Sequence, residues 1–343
     1  MPANMLQTTL ATVMSLRRRH LLTALPLAPW LAHWLAPLAN AQTAFPNHVL
    51  RYIVPVAAGG GSDLIGRTVT ERWSRQLGQP FIVDNIGGGG GAIACQAAAK
   101  APADGYTLLQ AYVATHGTSP ATRSKLPYDA VKDFTAVGMI GATPNVLVVN
   151  STLPVQTLAQ FIDFLKANPG RVSYGSAGQG SLTHLTMELF KQATHTFAVH
   201  IPYRGIAPAF NDLLGGQTQA MCPGLAAALP HLRSGRVRAL AVTGTARHPL
   251  LKDVPTLIEA GYAGFDAVQW YGVVGPAGLP APVLKTLNET LNAVLAAPDL
   301  SERLAAEAVT PHAMTPEAFA DHIRRDIARW TQLARARKID LDA

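Results

Sequence analysis

Apolar positions fall into short runs that alternate with segments of helical spacing, starting near residue 49. Residues 51–56 read as a strand. Residues 64–77 repeat apolar side chains at helical intervals, and 81–83 read as strand again. Five glycines at 87–91 lead into a helix over 92–100 and a third strand over 106–111. This β-α-β-α-β order predicts a parallel sheet with helices on both faces. After a Pro- and Lys-containing stretch at 126–134, a second block follows. Its predicted strands are 145–149, 172–176, 200–203, 218–222 and 237–242, and its helices are 158–167, 182–193 and 208–214. Residues 282–338 are rich in helical pattern, interrupted by Pro298, Pro311 and Pro316.

The opening segment has a different pattern. Arg17, Arg18, Arg19 and His20 precede an apolar stretch at 21–38, and Ala39-Asn40-Ala41 follows as an A-x-A cleavage pattern. This reads as a secretory signal over 1–41, cut near Ala41, and so predicts a periplasmic protein exported by the Sec or Tat route. Pro26, Pro29, His33 and Pro37 interrupt the stretch and argue against a membrane anchor. Three of the 28 basic residues lie in this leader, which leaves 25 against 21 acidic ones, a net charge of +4. That mild bias, without basic clusters or interleaved aromatics, does not describe a nucleic-acid surface. The remaining length points to two domains. Cys95 reads as a small buried helix residue and Cys222 as a strand end, so no disulfide framework is expected.

Two loops carry candidate chemistry. The first spans 55–63 and the second is Gly175-Ser176-Ala177-Gly178-Gln179-Gly180-Ser181. Each follows a strand and precedes a helix, where open α/β sheets bind ligands. Unpaired N–H groups and the positive dipole end of the following helix favour an anion there. One such terminus contributes only about 0.3–1 kcal/mol at a surface, so a single loop is a weak site. Two that face each other across a cleft can hold both ends of a dicarboxylate.

Residues 61–68 nearly spell a P-loop, with Arg67 in place of its lysine. Ser62 and Asp63 read instead as helix-capping residues, which places Gly66-Arg67-Thr68 inside the helix. Nucleophile signals are thin. Ser176 misses the G-x-S-x-G pattern, and Ser181 three residues before His184 reads first as a helix cap. His116 follows Thr115 after a strand, where a hydrogen-bonding role is the plainer reading. No metal-ligand spacing occurs and no cofactor or metal is expected. Arg204 in IPYRG can aim at a ligand carboxylate or pair at the surface, two readings of equal weight. Trp270 and Tyr271 read as core rather than cleft wall.

Across the chain, the stretches YIVPVAAGGGSD, DGYTLL, KLPYDAVKDF, PNVLVVN, YGSAGQGSLTHL, IPYRGIAPAFNDLLGGQ, LPHLRSGRVRALAVT, DVPTLIEAGYAGF and VGPAGLPAPV occur in order from about residue 47 onward. In their number and order the chain resembles the substrate-binding proteins of tripartite tricarboxylate transporters, the Bug or TctC-like family. The resemblance implies an α/β, type II periplasmic-binding-protein (Venus-flytrap) fold, each domain a mostly parallel sheet flanked by helices. It implies that 45–144 and 246–343 form a discontinuous first domain and 145–245 an inserted second. It places ligand contacts at Val56, Ala57, Ala58, Gly59, Gly60, Ser62 and Asp63 in the first loop. From the second loop it adds Ser176, Ala177, Gly178, Gln179, Ser181 and Thr183, with Thr115 and His116 nearby. Arg204 completes the candidate set. The ligand class implied is a small carboxylate, whether a di- or tricarboxylate or an aromatic acid. The implied partners are the transmembrane permease subunits of such a system, met by a monomer.

Two departures bear on specificity. The first loop commonly carries an aromatic and prolines, but here reads Pro55-Val56-Ala57-Ala58-Gly59-Gly60. Where the second domain often has M-F-D-N, this chain has Met221-Cys222-Pro223-Gly224, and Pro223 cannot pair with a ligand ammonium. A plain and bulkier carboxylate is therefore expected, not an amino acid. An exported serine hydrolase built on Ser176 or Ser181 with His184, and a ligand sensor for a signalling partner, are the alternatives.

Overall fold

The apolar residues Leu50, Tyr52, Ile53 and Val54 are buried together and build β1 (Leu50–Val54). This computed structural model describes residues 45–59 and 61–342; the leader with its cleavage pattern, and Gly60, lie outside the described residues. α1 (Gly61–Leu77) follows and buries Ile65, Val69 and Trp73, one stripe at helical spacing. β2 (Phe81–Asn85), α2 (Ala92–Ala99) and β3 (Thr107–Tyr112) complete the β-α-β-α-β unit. A π-helical turn over Ala114–Thr118 and the single-turn α3 (Ser119–Thr122) then lead to β4 (Phe134–Pro144).

β4 runs on into β5 (Val146–Asn150), which opens the second sheet. There follow α4 (Leu158–Ala167), β6 (Ser173–Ser176), α5 (Leu182–Thr194), β7 (Val199–Pro202) and α6 (Ile206–Leu214). β8 (Ala220–Met221), α7 (Leu225–Arg233) and β9 (Val237–Val242) close that block. The chain returns through β10 (Val268–Pro276), then α8 (Ala281–Leu295), α9 (Pro298–Ala306), β11 (Thr310–Pro311) and the long α10 (Pro316–Ala336).

The first sheet has the order β11-β4-β10-β3-β1-β2 and the second β7-β6-β8-β5-β9. β1 is parallel to β2 and β3, and β6 is parallel to β7 and β8. Every other ladder is antiparallel. The sheets are thus mixed where mostly parallel ones were expected. The cause is the connecting strands β4, β5, β9 and β10, which carry the chain between sheets: β10 runs against β3 and β5 against β8, while β4 and β9 pair antiparallel with β10 and β5.

β4 and β10 are absent from the sequence-based reading because glycines interrupt both. Those glycines mark close approach, as isolated strand glycines often do. A Cβ on Gly272 would meet the Phe319 ring at 2.1 Å, and one on Gly141 would meet the Thr310 carbonyl at 2.4 Å. Between β4 and β5, Asn145 N–H donates to Thr243 Oγ1 at 2.9 Å, and Thr243 N–H returns a bond to the Asn145 carbonyl at 2.9 Å. Thr243 Oγ1 also donates to the Ala267 carbonyl at 2.7 Å, so both crossings are tied at one point. Beyond β9, the Val242 N–H donates to the Pro255 carbonyl and its own carbonyl accepts from Leu257. Both cysteines are free and buried; burial pushes the Cys95 thiol up to about 12 and raises Cys222 as well.

Candidate ligand-binding site

The first loop is held by Asp63, which is 2% exposed. Helix α1 begins at Gly61, so Ser62 and Asp63 lie in its first turn. The Asp63 carboxylate accepts from Gly59 N–H at 2.8 Å, Arg67 Nε at 3.0 Å and Asn85 Nδ2 at 2.9 Å. Burial alone would raise its pKa, but these donors and the Arg67 charge outweigh burial and hold it below the usual range. Gly66-Arg67-Thr68 lies within α1, and Arg67 serves Asp63. From β3, Gln110 Nε2 donates to both Ser62 O and Ser62 Oγ at 2.8 Å, fixing the first turn of α1.

The second loop satisfies most of its own donors. Gly178 N–H donates to Ser176 Oγ at 3.1 Å, Ala177 N–H to Thr183 Oγ1 at 2.9 Å and Gly180 N–H to His184 Nδ1 at 3.1 Å. Ser181 caps α5 by accepting from His184 N–H at 3.3 Å, and its hydroxyl contacts Thr183 Oγ1 at 2.9 Å. What the loop can offer a ligand is therefore hydroxyls and the first-turn N–H groups of Leu182 and Thr183, which have no intrahelical acceptor.

The two loops border one cavity of about 470 Å³. Gly61 and Ser62 of α1, Leu182 and Thr183 of α5, Ile206 of α6, and Gly224 with Ala226 at α7 bring four helix N-termini to its walls. Each presents unpaired N–H groups and a positive dipole end. The connecting strands form the remaining wall through Thr143 of β4 and Gln269 and Tyr271 of β10, with Glu307 beside them. Thr143 and Gln269 are register partners across the β4–β10 ladder. Thr143 is 3% exposed, and its hydroxyl has no hydrogen-bond partner among the described residues. Gln269 Nε2 donates to the Tyr271 hydroxyl. Burial, reinforced by the Glu307 charge, pushes Tyr271 up to about 12, so the phenol stays protonated. The arrangement suits a small anion held by N–H and O–H donors.

Comparison with known proteins agrees with that geometry. Residues 65–339 match the family model described as the tripartite tricarboxylate transporter family receptor, TctC. The chain belongs to this family. BugT of Bordetella pertussis is 37% identical over 302 residues, covering 88% of this chain and 92% of BugT. Rpa4515 of R. palustris, solved with adipate, is 35% identical with a TM-score of 0.77, over 86% of this chain and 99% of that one. The periplasmic binding protein BugD is 32% identical with a TM-score of 0.73, over 86% and 99%. The fold of the receptor is that of these two-domain periplasmic solute-binding proteins, and its relatives are binding proteins, not enzymes.

Of the residues singled out by sequence, Ser62, Ala177, Ser181 and Thr183 line the cavity of this receptor. Val56 is half-buried, while Ala57, Ala58, Gly59 and Gln179 are exposed outside the lining; Gly60 lies outside the described residues. Asp63 turns away to lock the loop. Thr115 is fully buried, with its hydroxyl donating to the Tyr112 carbonyl at 3.1 Å. His116 is fully buried behind it, and burial drives its pKa down to about 3. Arg204 is exposed and takes part in no ion pair among the described residues. Trp270 is core, donating to Asp326 at 2.9 Å, whereas Tyr271 walls the cavity. Strand alternation in AVQWYGVV carries that signal, since adjacent strand residues face opposite sides. Nothing in the sequence singles out Thr143 or Glu307.

Ser176 behaves as scaffold. Ser176 Oγ lies 2.6 Å from Nε2 of His200, the partner seen in place of His184, and Ser176 is fully buried outside the lining. His200 stacks on His184 with ring centroids 3.9 Å apart. Burial lowers both to about 4, so the pair is neutral at pH 7.

Proposed function

We propose that the protein is an extracytoplasmic solute receptor that captures a small organic carboxylate in this cavity and delivers it to the membrane permease of a tripartite tricarboxylate-type transporter. The lobes are residues 45–144 with 246–343, and 145–245, with the segment after 245 hydrogen-bonded to the second sheet at Val242. The leader at 1–41 supports export to the periplasm, where the receptor acts as a monomer and without catalysis. Support comes from family membership and from adipate in the Rpa4515 structure. One observation carries the reading: four helix N-termini converge on one cavity whose buried Thr143 hydroxyl has no partner among the described residues.

A carboxylate bridging the two lobes favours the closed state. Reversing a 99:1 open preference takes about 5.5 kcal/mol of differential binding. A few charge-assisted hydrogen bonds at roughly 1.5–3 kcal/mol each suffice. A thermal-shift screen of mono-, di- and tricarboxylates and aromatic acids tests the reading; saturation at 100 Kd should add about 2.7 kcal/mol of stability. A panel in which no carboxylate shifts the transition would sink it, and a response confined to aspartate and glutamate would overturn the expectation of a plain carboxylate. The Ser176–His200 contact is the one feature that favours a hydrolase. With Ser176 sealed from the cavity, ester turnover that disappears on Ser176→Ala is not expected.

A further inference from the structure

Glu307 is the only charged side chain among the described residues that line the cavity. Its placement is fixed by backbone. After α9 the chain turns tightly, with Glu307 N–H on the Leu304 carbonyl at 3.0 Å and Val309 N–H on the same carbonyl at 2.9 Å. Ala308 takes a left-handed φ of 54° and is fully buried. A non-glycine residue held there is strained, and such strain persists only where the surroundings impose it. Immediately after, β11 pairs Thr310 with Ala142 on β4, next to Thr143. The hook is therefore anchored to the same strand that supplies the unpartnered hydroxyl.

The hook brings the Glu307 carboxylate to the first turn of α1. A Cβ on Gly61 would lie 3.8 Å from Glu307 Oε2. The positive end of α1 thus already faces a protein carboxylate, while the termini of α5 and α7 face none within the lining. Neither lysine nor arginine lines the cavity among the described residues to neutralise a second ligand charge beside Glu307.

We propose that Glu307 sets specificity: the ligand seats its carboxylate against α5 and α7 and turns a hydrogen-bond donor, a hydroxyl or an ammonium, toward Glu307, so that simple dicarboxylates are disfavoured. This rests on the receptor reading above, keeps its carboxylate, and replaces the expectation that the ligand is otherwise plain. A second ligand carboxylate near Glu307 would set like charges together in a partly desolvated site, whereas a donor satisfies the Glu307 oxygens.

Calorimetric titration of the full mature chain with matched acids tests this. The probes are dicarboxylates, ω-hydroxy acids, ω-amino acids and unsubstituted acids of four to six carbons, together with 4-hydroxybenzoate, 4-aminobenzoate, benzoate and terephthalate. Wild type should bind the donor-bearing acid of a series about tenfold or more tighter than the diacid, and Glu307→Gln should close that gap while changing the unsubstituted acid by no more than about twofold. An ω-amino acid ahead of its hydroxy analogue identifies an ion pair; the reverse order identifies a hydroxyl donating to the carboxylate. Equal or tighter binding of the diacid by wild type, unaltered in Glu307→Gln, overturns the role of Glu307 and leaves the receptor reading standing. Absence of binding by every acid in the probe set and the wider carboxylate screen overturns both.

Discussion

Arg337 donates from Nε to Glu188 Oε2 at 2.6 Å, joining the end of the C-terminal helix to the middle of α5. Glu188 is 5% exposed and also accepts from Lys191 Nζ at 2.5 Å and from the Tyr174 hydroxyl at 2.6 Å. Burial alone would raise Glu188, but the Lys191 and Tyr174 bonds, with the Lys191 charge and Arg337, outweigh it and hold the carboxyl down at about 2. Removing one partner of a buried pair leaves the other uncompensated. Glu188→Gln should therefore cost about 3–5 kcal/mol in urea unfolding. Arg337→Ala, at the more exposed end, should cost about 1 kcal/mol. Equal costs for the two variants would contradict a buried Lys191–Glu188 centre.

Acid should weaken the fold before it reaches the carboxylates. His116 and His184 are held at about 3 and about 4 by burial, in His184 reinforced by its stacked neighbour His200. Both stay neutral in the native protein while their unfolded counterparts protonate near pH 6.5. Stability is thus full above pH 6.5 and falls as the pH drops toward 4, by up to about 1.4 kcal/mol per pH unit for each histidine. Glu188 adds to the loss between about 4.5 and 2, its folded pKa being the lower one. A melting temperature that stays level from pH 7 to pH 5 would argue against this.

Gly66 shows what the P-loop-like pattern means. A Cβ there would lie 2.5 Å from Gln110 Oε1 and 3.1 Å from Val54. Gly66→Ala gains about 1 kcal/mol of helix propensity and loses more to overpacking, for a net cost of about 1–2 kcal/mol. Displaced Gln110 would release Ser62, so ligand affinity should fall alongside stability. Binding left intact would mean that the Gln110–Ser62 contact does not shape the site.

Thr143→Val gives a cleaner separation. It replaces a buried hydroxyl without a partner by a methyl of similar shape. The ligand-free protein should be as stable or gain up to about 1 kcal/mol, while carboxylate affinity drops about tenfold. A stability loss with unchanged affinity would assign Thr143 to the fold alone.

Much of this was legible in the chain. Both loops follow strands where alternation places them, and Ser62, Ala177, Ser181 and Thr183 line the cavity as glycine-rich strand–helix turns suggest. Strands β4 and β10 were not legible, because Gly138, Gly141 and Gly272 look like breakers until Asn288, Thr310 and Phe319 are packed against them. Thr143 and Glu307 were lost for the same reason, as they reach the cavity on or beside those strands, and Tyr271 was read as core with its neighbour Trp270. Arg204 shows the opposite limit: its chemistry suits an anion, but the structure leaves it exposed outside the lining.

The knot of Asn145 and Thr243 has a mechanical consequence. Each donates its N–H to the other residue, and the same threonine holds the Ala267 carbonyl, so the two connections share one pin and have little slack. Sliding one sheet along the other would break all three bonds; turning about the pin strains them least.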